Sequence, residues 1–225
     1  MNHRHNGLCG AGSRPGRGLA YRSAVILVPM PDWPLVVRRA EPTEKHFAMI
    51  IGLIDEAATW LRTKGTDQWD HPWPNRADRD GRVVLSLREG KTWICWDRDR
   101  PAATLTVDLD DDPHWVSLHS RASPSAIYIH RLVVGRGYGG IHLGGYLLNW
   151  AGRTGWMAHG AHSMRVSAWT TNRALHQYYE REGFEPRGYH ADDGYPSAAR
   201  YEKLTSVIPF TWPPLFSAPS RLAES

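Results

Sequence analysis

The 225-residue chain is 41% hydrophobic and 22% charged, which is the composition of a globular protein with one ordinary core. Its net charge of +4 comes from four arginines in residues 1–30, so the remainder is charge-balanced and a nucleic-acid-binding face is not expected. Two cysteines, Cys9 and Cys95, exclude a framework of several disulfides, and no apolar run is long enough to span a membrane.

The first half of the chain predicts two helices followed by a hairpin. Residues 1–33, rich in Gly, Arg and Pro, are expected to be a disordered basic extension, in which Met30 is a second candidate start. With no targeting signal recognised, a cytoplasmic location is expected. Order is predicted to begin at residue 35, and the elements that the pattern predicts are a strand over 35–39, a helix ending near Leu61, a loop over 66–76, a helix over 78–87 and hairpin strands over 91–97 and 102–109.

The second half predicts a strand–helix–strand–helix unit and two closing strands. Residues 126–134 form an apolar strand, glycines crowd over 135–145, and a helix follows. The remaining elements are a strand over 164–169, a helix from Thr171 to Glu182 and strands over 184–188 and 199–204. Residues 35–206 are therefore expected to be one mixed α/β domain, and residues 207–225 a proline-rich tail.

The glycine-rich turn indicates a phosphate group. Six glycines lie between 135 and 145, where a strand leads into a helix. A helix N-terminus offers unpaired N–H groups and a partial positive charge, and glycine lets the backbone approach an anion closely. A tight connection also uses glycine, although six exceed what a turn requires. We therefore expect this turn to bind phosphate or pyrophosphate.

The same turn contains the dinucleotide-binding pattern G-x-G-x-x-G at Gly135, Gly137 and Gly140. A nicotinamide or flavin enzyme also needs an acidic residue about 20 residues further on, for a ribose hydroxyl. No Asp or Glu occurs from Trp150 to Tyr179. The dinucleotide interpretation is therefore disfavoured.

Two motifs resemble the GNAT acetyltransferases. The segment Gly139-Gly140-Ile141-His142-Leu143-Gly144 and the helix after it are similar to the family's pyrophosphate loop, although Gly139 replaces its usual Gln or Arg and His142 replaces a glycine. A register that begins at Arg136 recovers Gly139 but places Ile141 at the last position. The segment 172–184 matches the family's signature at Asn172, Tyr179, Gly183 and Phe184, all in register. The resemblance extends more weakly over residues 35–205.

The resemblance implies a mostly antiparallel, splayed central sheet flanked by helices, with acetyl-CoA wedged between two strands. Main-chain groups of Leu132 and Val134 would align the pantetheine arm and polarise the thioester carbonyl. The residues implied to bind acetyl-CoA are Leu132, Val133, Val134, Arg136, Gly139, Gly140, Ile141, His142, Leu143, Gly144, Gly145 and Asn172.

Tyr179 is the candidate general acid for the departing CoA thiolate. It follows Asn172 by almost two helical turns, so both residues lie on one helix face, about 10 Å apart. The alternative for Tyr178 or Tyr179 is aromatic packing. His130 is the first candidate base for the acceptor amine, because strand alternation places it on the face of Leu132 and Val134. The alternative is a structural histidine, and Asp108 and Glu180 are weaker base candidates.

The acceptor is expected to be a small-molecule or peptide amine. Trp69, Asp70, His71 and Trp73, in the loop after the first helix, are candidate acceptor contacts, with plain loop packing as the alternative. The acidic run 110–112 could attract a cationic amine, although a solvated acidic turn is the favoured interpretation. No metal site, nucleic acid or membrane is expected, and a homodimer is left open. The alternative function is a non-catalytic acyl-CoA sensor on the same fold, suggested by the altered loop.

Overall fold

The computed structural model describes residues 24–26, 35–110, 115, 125–190 and 194–208. The helices and strands within these ranges are β1 (Ala24–Ile26), β2 (Leu35–Arg39), α1 (Glu44–Arg62), α2 (Arg76–Arg88), β3 (Thr92–Asp97), β4 (Arg100–Asp108), β5 (Ala126–Val134), α3 (Leu143–His159), β6 (Ser163–Ala168), α4 (Arg173–Arg181), β7 (Glu185–Tyr189) and β8 (Ala199–Leu204). None of these helices is both long and apolar enough to cross a membrane.

All eight strands form one sheet in the order β1-β2-β3-β4-β5-β6-β8-β7. Every neighbouring pair is antiparallel except β5–β6, which is parallel because α3 connects its two strands. The mixed α/β fold with a mostly antiparallel sheet is therefore confirmed. The chain order of helices and strands also follows the sequence patterns from residue 35 onwards.

Helices cover both faces of the sheet. Alternate strand residues point to opposite sides, so each face has its own apolar cluster. Apolar residues of α1 and α2 form one core cluster with Ile94 of β3 and Val133 of β5. Residues of α3 form the larger cluster with Trp93 and Leu105 on the other face. Polar side chains cap the starts of α1, α2 and α4; Asn75, for example, accepts from the Asp78 amide at 2.9 Å at the start of α2.

The structure corrects both ends of the expected domain. Ala24–Ile26, inside the segment predicted to be disordered, forms β1, whose backbone pairs with the outer edge of β2. An unpaired strand edge offers free N–H and C=O groups, which explains why a short neighbouring segment adds to it. Ile208, beyond the expected boundary at 206, is buried in the α3 cluster. The rest of the predicted extension and of the predicted tail lies outside the described residues.

The parallel pair β5–β6 is hydrogen-bonded only over its first half. Its register runs from Ala126–Ser163 to Ile129–Val166 and stops there, although β5 continues to Val134. On its other side β5 stays paired with β4 as far as Val134. The two central strands therefore separate after Ile129, and this separation defines the site described next.

Candidate active site

The second half of β5 presents unpaired backbone to the gap between β5 and β6. Beyond Ile129, the main-chain groups on the β6 side have no partner in that strand. Such groups in a strand interior can bind an extended ligand by main-chain hydrogen bonds, as an added strand would. Leu132 and Val134 lie in this half of β5, which is open towards β6. The family resemblance implies that both residues contact the pantetheine arm.

A bulge in β5 changes which side chains share a face. From the pair Thr106–His130 to the pair Thr104–Val133, β4 advances by two residues and β5 by three, so β5 contains one extra residue. Residues directly opposite each other share a face, so His130 lies on the face of Thr106 and Val133. The expectation that His130 shares a face with Val134 by simple alternation is therefore wrong, because the extra residue inverts the alternation.

The glycine-rich turn leads into α3 with an open helix N-terminus. His142 is the N-cap residue, and its side chain makes no capping hydrogen bond. The first turn of α3 contains no acidic residue. His142 has a φ of 61°, the left-handed conformation that glycine adopts most readily, which agrees with the glycine of the family motif that His142 replaces. Uncapped N–H groups at a helix start suit an anion, and binding of a diphosphate here stays a prediction.

Tyr178 covers the first turn of α3. A Cβ on Gly144 would come 2.5 Å from the Tyr178 hydroxyl, so only glycine fits this close approach. That hydroxyl is buried and has no hydrogen-bond partner among the described residues. Burial raises the pKa of Tyr178, and a nearby Glu182 carboxylate raises it further. A neutral buried phenol thus lies unsatisfied beside the helix end, available to donate to a ligand.

Glu182 brings a carboxylate close to the same helix end. Its side chain is buried against Gly145, and the His142 imidazole lies 3.5 Å from a Glu182 oxygen. A carboxylate at a helix N-terminus is favoured by the helix dipole but repels a bound anion. His142 therefore makes a side-chain contact with Glu182 that glycine could not make.

The other predicted turn residue with a clear contact is Arg136. Its amide donates to Glu56 at 3.1 Å, and its guanidinium lies 3.8 Å from the centre of the Trp60 ring. Both partners belong to α1. The described contacts of Arg136 therefore anchor the turn to α1, and its predicted contact with acetyl-CoA stays a prediction.

Tyr179 and Asn172 lie on the buried face of α4, as helical spacing predicted. Asn172 caps α4 by accepting from the Leu175 amide at 3.0 Å, and its amide group donates to Gln68 at 2.5 Å. The Tyr179 ring packs in an aromatic cluster, 5.4 Å from Phe184, and burial raises the pKa of its hydroxyl. Asn172 thus has a structural role, and its predicted contact with pantetheine stays a prediction.

A cavity of about 540 Å³ reaches the separated strands from the α2 side. His130, Leu132 and Tyr179 all border it, so the structure brings together the candidate base, a candidate pantetheine contact and the candidate acid. Trp69 and Trp73 also border it. Of the other proposed acceptor contacts, Asp70 instead lies 3.6 Å from His71 in an exposed pair.

The charged groups of the cavity wall are distributed unevenly. The Lys91 ammonium contacts three carboxylates, those of Glu89, Asp108 and Asp110, at 2.7–3.0 Å. Arg131, by contrast, donates to the hydroxyls of Ser86 and Thr106 and to no other group in the part of the chain that the structure describes. Residues 111 and 112 of the acidic run lie outside the described residues.

Sequence reasoning missed the residues that close the cavity over β6. Asp67 accepts from the Trp169 indole at 2.9 Å and from the Thr171 hydroxyl, and these bonds lower the pKa of Asp67. Together with the Gln68–Asn172 bond they fix the loop after α1 to the start of α4. Asp67 and Gln68 come directly before Trp69 in the sequence. Nothing in the local pattern shows that they contact a segment about a hundred residues away.

This arrangement matches a known family over more than half of the chain. The model of the acetyltransferase (GNAT) family matches residues 54–184. The chain belongs to the GNAT family. It is accordingly an acyl-CoA-dependent acetyltransferase, as the sequence motifs indicated.

Relatives of this GNAT enzyme agree with the assignment. An uncharacterised N-acetyltransferase of Bacillus subtilis, YesJ, is 30% identical over 148 residues, which cover 63% of this chain and 80% of the relative. A GNAT acetyltransferase from Listeria monocytogenes has the same fold, with a TM-score of 0.61 at 21% identity over 80% of this chain and 99% of that one.

A further solved structure of the same fold contains coenzyme A. The PaiA N-acetyltransferase of Thermoplasma acidophilum, solved with coenzyme A, is 13% identical over 76% of this chain and 98% of its own, with a TM-score of 0.56. At this identity the similarity establishes a shared fold.

Proposed function

We propose that this GNAT enzyme transfers an acetyl group directly from acetyl-CoA to a primary amine bound in the cavity between α2 and the separated strands. The observation that carries the proposal is the meeting of three features: unpaired β5 backbone, an open α3 N-terminus and a cavity bordered by Tyr179. The donor site and the acceptor cavity then share the second half of β5. Transfer needs no covalent enzyme intermediate in such an arrangement.

Acetyl-CoA would lie with its diphosphate on the α3 N-terminus and its pantetheine arm along β5. The N–H groups of residues 143–145 and the buried Tyr178 hydroxyl offer donors to the diphosphate. Main-chain groups of Leu132 and Val134 offer partners to the pantetheine amides. The coenzyme A bound to the Thermoplasma relative, which shares this fold, supports the choice of donor.

The reaction removes two protons from the acceptor nitrogen and gives one to the CoA sulfur. The ammonium form of the acceptor has no lone pair, so a base must first remove a proton. The free amine then attacks the thioester carbonyl, a C–N bond forms, and the C–S bond breaks to release the thiolate. Tyr179, whose pKa is raised by burial so that the phenol stays neutral, donates its proton to the thiolate, and the second proton lost by the nitrogen restores the phenol.

His130 remains the best candidate base because it borders the cavity. Asp108 is less suitable, since its carboxylate already contacts the Lys91 ammonium at 3.0 Å. Glu180 is exposed on α4 and is not among the residues that line the cavity.

The test is thiol release from acetyl-CoA in the presence of a panel of amines. Tyr179→Phe should lower kcat by about 10²-fold or more, the usual contribution of a general acid, while acetyl-CoA affinity changes little. Tyr178→Phe is the matched control, because it removes a neighbouring phenol; it should weaken acetyl-CoA binding rather than kcat.

Two outcomes would contradict the proposal. Unchanged turnover by Tyr179→Phe under conditions where chemistry limits the rate would remove Tyr179 from the acid role. Tight acetyl-CoA binding with no turnover on any amine would favour a sensor instead of an enzyme acting on amines.

A further inference from the structure

Arg131 occupies the bulge in β5 with a strained backbone. Its φ is 50°, a conformation that costs about 1–3 kcal/mol for a residue with a long side chain. Bulges next to active sites commonly redirect a side chain. Here the bulge directs the guanidinium towards α2, into the cavity wall.

The Arg131 guanidinium has only neutral partners. One nitrogen, Nη2, donates to Ser86 Oγ at 3.0 Å and to Thr106 Oγ1 at 3.2 Å. Within the described ranges no carboxylate lies at ion-pair distance from it, and its Nε and Nη1 donate to no described residue. The two hydroxyls therefore fix one nitrogen and leave the other donors of the fork available.

Two other cations of the cavity wall have carboxylate partners, whereas a third does not. Lys91 is surrounded by three carboxylates, and Arg79 lies 2.7 Å from both Asp55 and Asp80. Arg82, on the same side as Arg131, has no carboxylate at ion-pair distance among the described residues. The wall thus has a net negative edge, where three carboxylates surround Lys91, and a positive region at Arg131 and Arg82.

An uncompensated cation in a cavity favours an anionic ligand. Burial, and repulsion from Arg82, lower the pKa of Arg131 to about 10 although attraction from Asp108 offsets part of the effect, so the group remains charged at neutral pH. Removing a guanidinium from water without a counter-charge is unfavourable, and a bound anion restores the balance. A planar guanidinium fork is complementary to a carboxylate, which supplies the single negative charge required.

We propose that the acceptor amine carries a carboxylate, and that Arg131 binds this carboxylate while the amine faces Tyr179 and the separated strands. The inference rests on the proposed acetyl transfer to an amine. Trp69, Trp73 and Tyr195 border the remaining wall, which favours an acceptor with an apolar or aromatic body. The substrate class is therefore an amino carboxylic acid with an apolar side chain.

The experiment compares amines that differ only by the carboxylate. Suitable pairs are tryptophan with tryptamine and phenylalanine with phenethylamine, each assayed for acetyl-CoA-dependent thiol release. Wild-type kcat/KM should be higher for the carboxylate-bearing member by about 30-fold or more, the scale of a lost charge-assisted interaction. Equal or faster acetylation of tryptamine and phenethylamine would overturn the inference while upholding acetyl transfer.

Variants then locate the carboxylate contact. Arg131→Gln should lower kcat/KM for phenylalanine by about 30-fold or more and leave phenethylamine nearly unchanged, whereas Arg131→Lys should retain part of the preference. Arg38→Gln, an exposed arginine on β2, is the matched control and should leave both values unchanged. Equal losses on both amines in Arg131→Gln, with acetyl-CoA affinity intact, would contradict a role for Arg131 in binding the carboxylate.

A binding measurement separates this inference from the proposed function. Calorimetry with N-acetylphenylalanine and N-acetylphenethylamine needs no turnover. Selective, Arg131-dependent binding of the carboxylate would support the inference even if no amine were acetylated. Absence of any preference in wild-type protein would overturn it, whether or not Arg131→Gln folds.

Discussion

The two halves of β5 belong to one strand but have different roles. Residues 126–129 are buried and paired with β6, and Tyr128 and Ile129 also pair with β4. Among the described strands, residues 130–134 pair with β4 alone and contain a bulge and a positive φ, and residues 130–132 border the cavity. The difference shows that a strand becomes a binding surface where its neighbour separates from it.

The separated half also divides by face. On the α2 side it presents His130 and Arg131 to the cavity, whereas on the α3 side Val134 packs under Tyr178 and the glycine turn. One strand segment therefore contacts both the acceptor cavity and the turn proposed to hold the donor diphosphate. The predictions below test this division, from the largest expected effect to the smallest.

A matched pair of truncations should separate scaffold from site. Ile127 is fully buried against Gly155 of α3, so Ile127→Ala should lower the free energy of unfolding by about 2–5 kcal/mol and leave kcat/KM nearly unchanged below the unfolding temperature. Leu132 is partly exposed, so Leu132→Ala should cost only about 1 kcal/mol but lower kcat/KM by about tenfold or more.

Urea unfolding and steady-state kinetics on the same two variants measure both effects. The contrast between the halves fails if Ile127→Ala loses activity as strongly as Leu132→Ala at equal folded fraction.

A methyl group at Gly144 should disturb the turn side of the separated half. In Gly144→Ala the added Cβ would approach the Tyr178 hydroxyl too closely, which should destabilise the fold by about 1–3 kcal/mol and weaken acetyl-CoA binding about tenfold. Tyr178→Phe removes the atom responsible. In that background Gly144→Ala should be neutral or stabilising, because alanine favours a helix more than glycine does.

Thermal unfolding and acetyl-CoA titration of the two single variants and the double variant provide this test. Additive effects would show that the Tyr178 hydroxyl does not limit the space at Gly144.

The strands on the paired side of β5 should contribute a pH-dependent stability through Glu202 of β8. Burial on its own raises the pKa of Glu202, but hydrogen bonds from Arg165, Ser163 and Arg187 outweigh it and hold the pKa below its ordinary value. A carboxyl with a lowered folded-state pKa stabilises the fold above its unfolded pKa, about 4.3, and loses this contribution as the pH falls through the folded value.

The stability difference between wild type and Glu202→Gln should therefore be largest near neutral pH and shrink between about pH 5 and pH 3. Urea unfolding at several pH values measures it, with Glu185→Gln as the exposed control on β7. A difference that grows at low pH would reverse the sign and contradict the account.

Local patterns predicted the elements well because they depend on near neighbours. Helical spacing from Phe47 to Leu61 fixed the buried face of α1, and a strand followed by glycines fixed the turn before α3. The separation of Asn172 and Tyr179 placed both on one face of α4. The candidate acid and candidate base were found in this way, because family motifs and residue chemistry marked them directly.

The charge partners of the cavity were not predictable in the same way. By simple alternation along the strand, Arg131 would lie on the opposite face from His130. A bulge that the strand composition does not signal changes this alternation. Its hydroxyl partners come from α2 and β4, so only long-range packing brings them together.

The sequence by itself determined the family, the order of elements and the glycine-rich turn before α3, since each follows from residue type and spacing along a short segment. The tertiary structure decided which half of β5 is open, which way Arg131 points and which cations lack a carboxylate at ion-pair distance within the described ranges. Those features depend on strand register and on contacts between segments far apart in the chain. Packing between such segments also holds the backbone of Arg131 in its strained conformation.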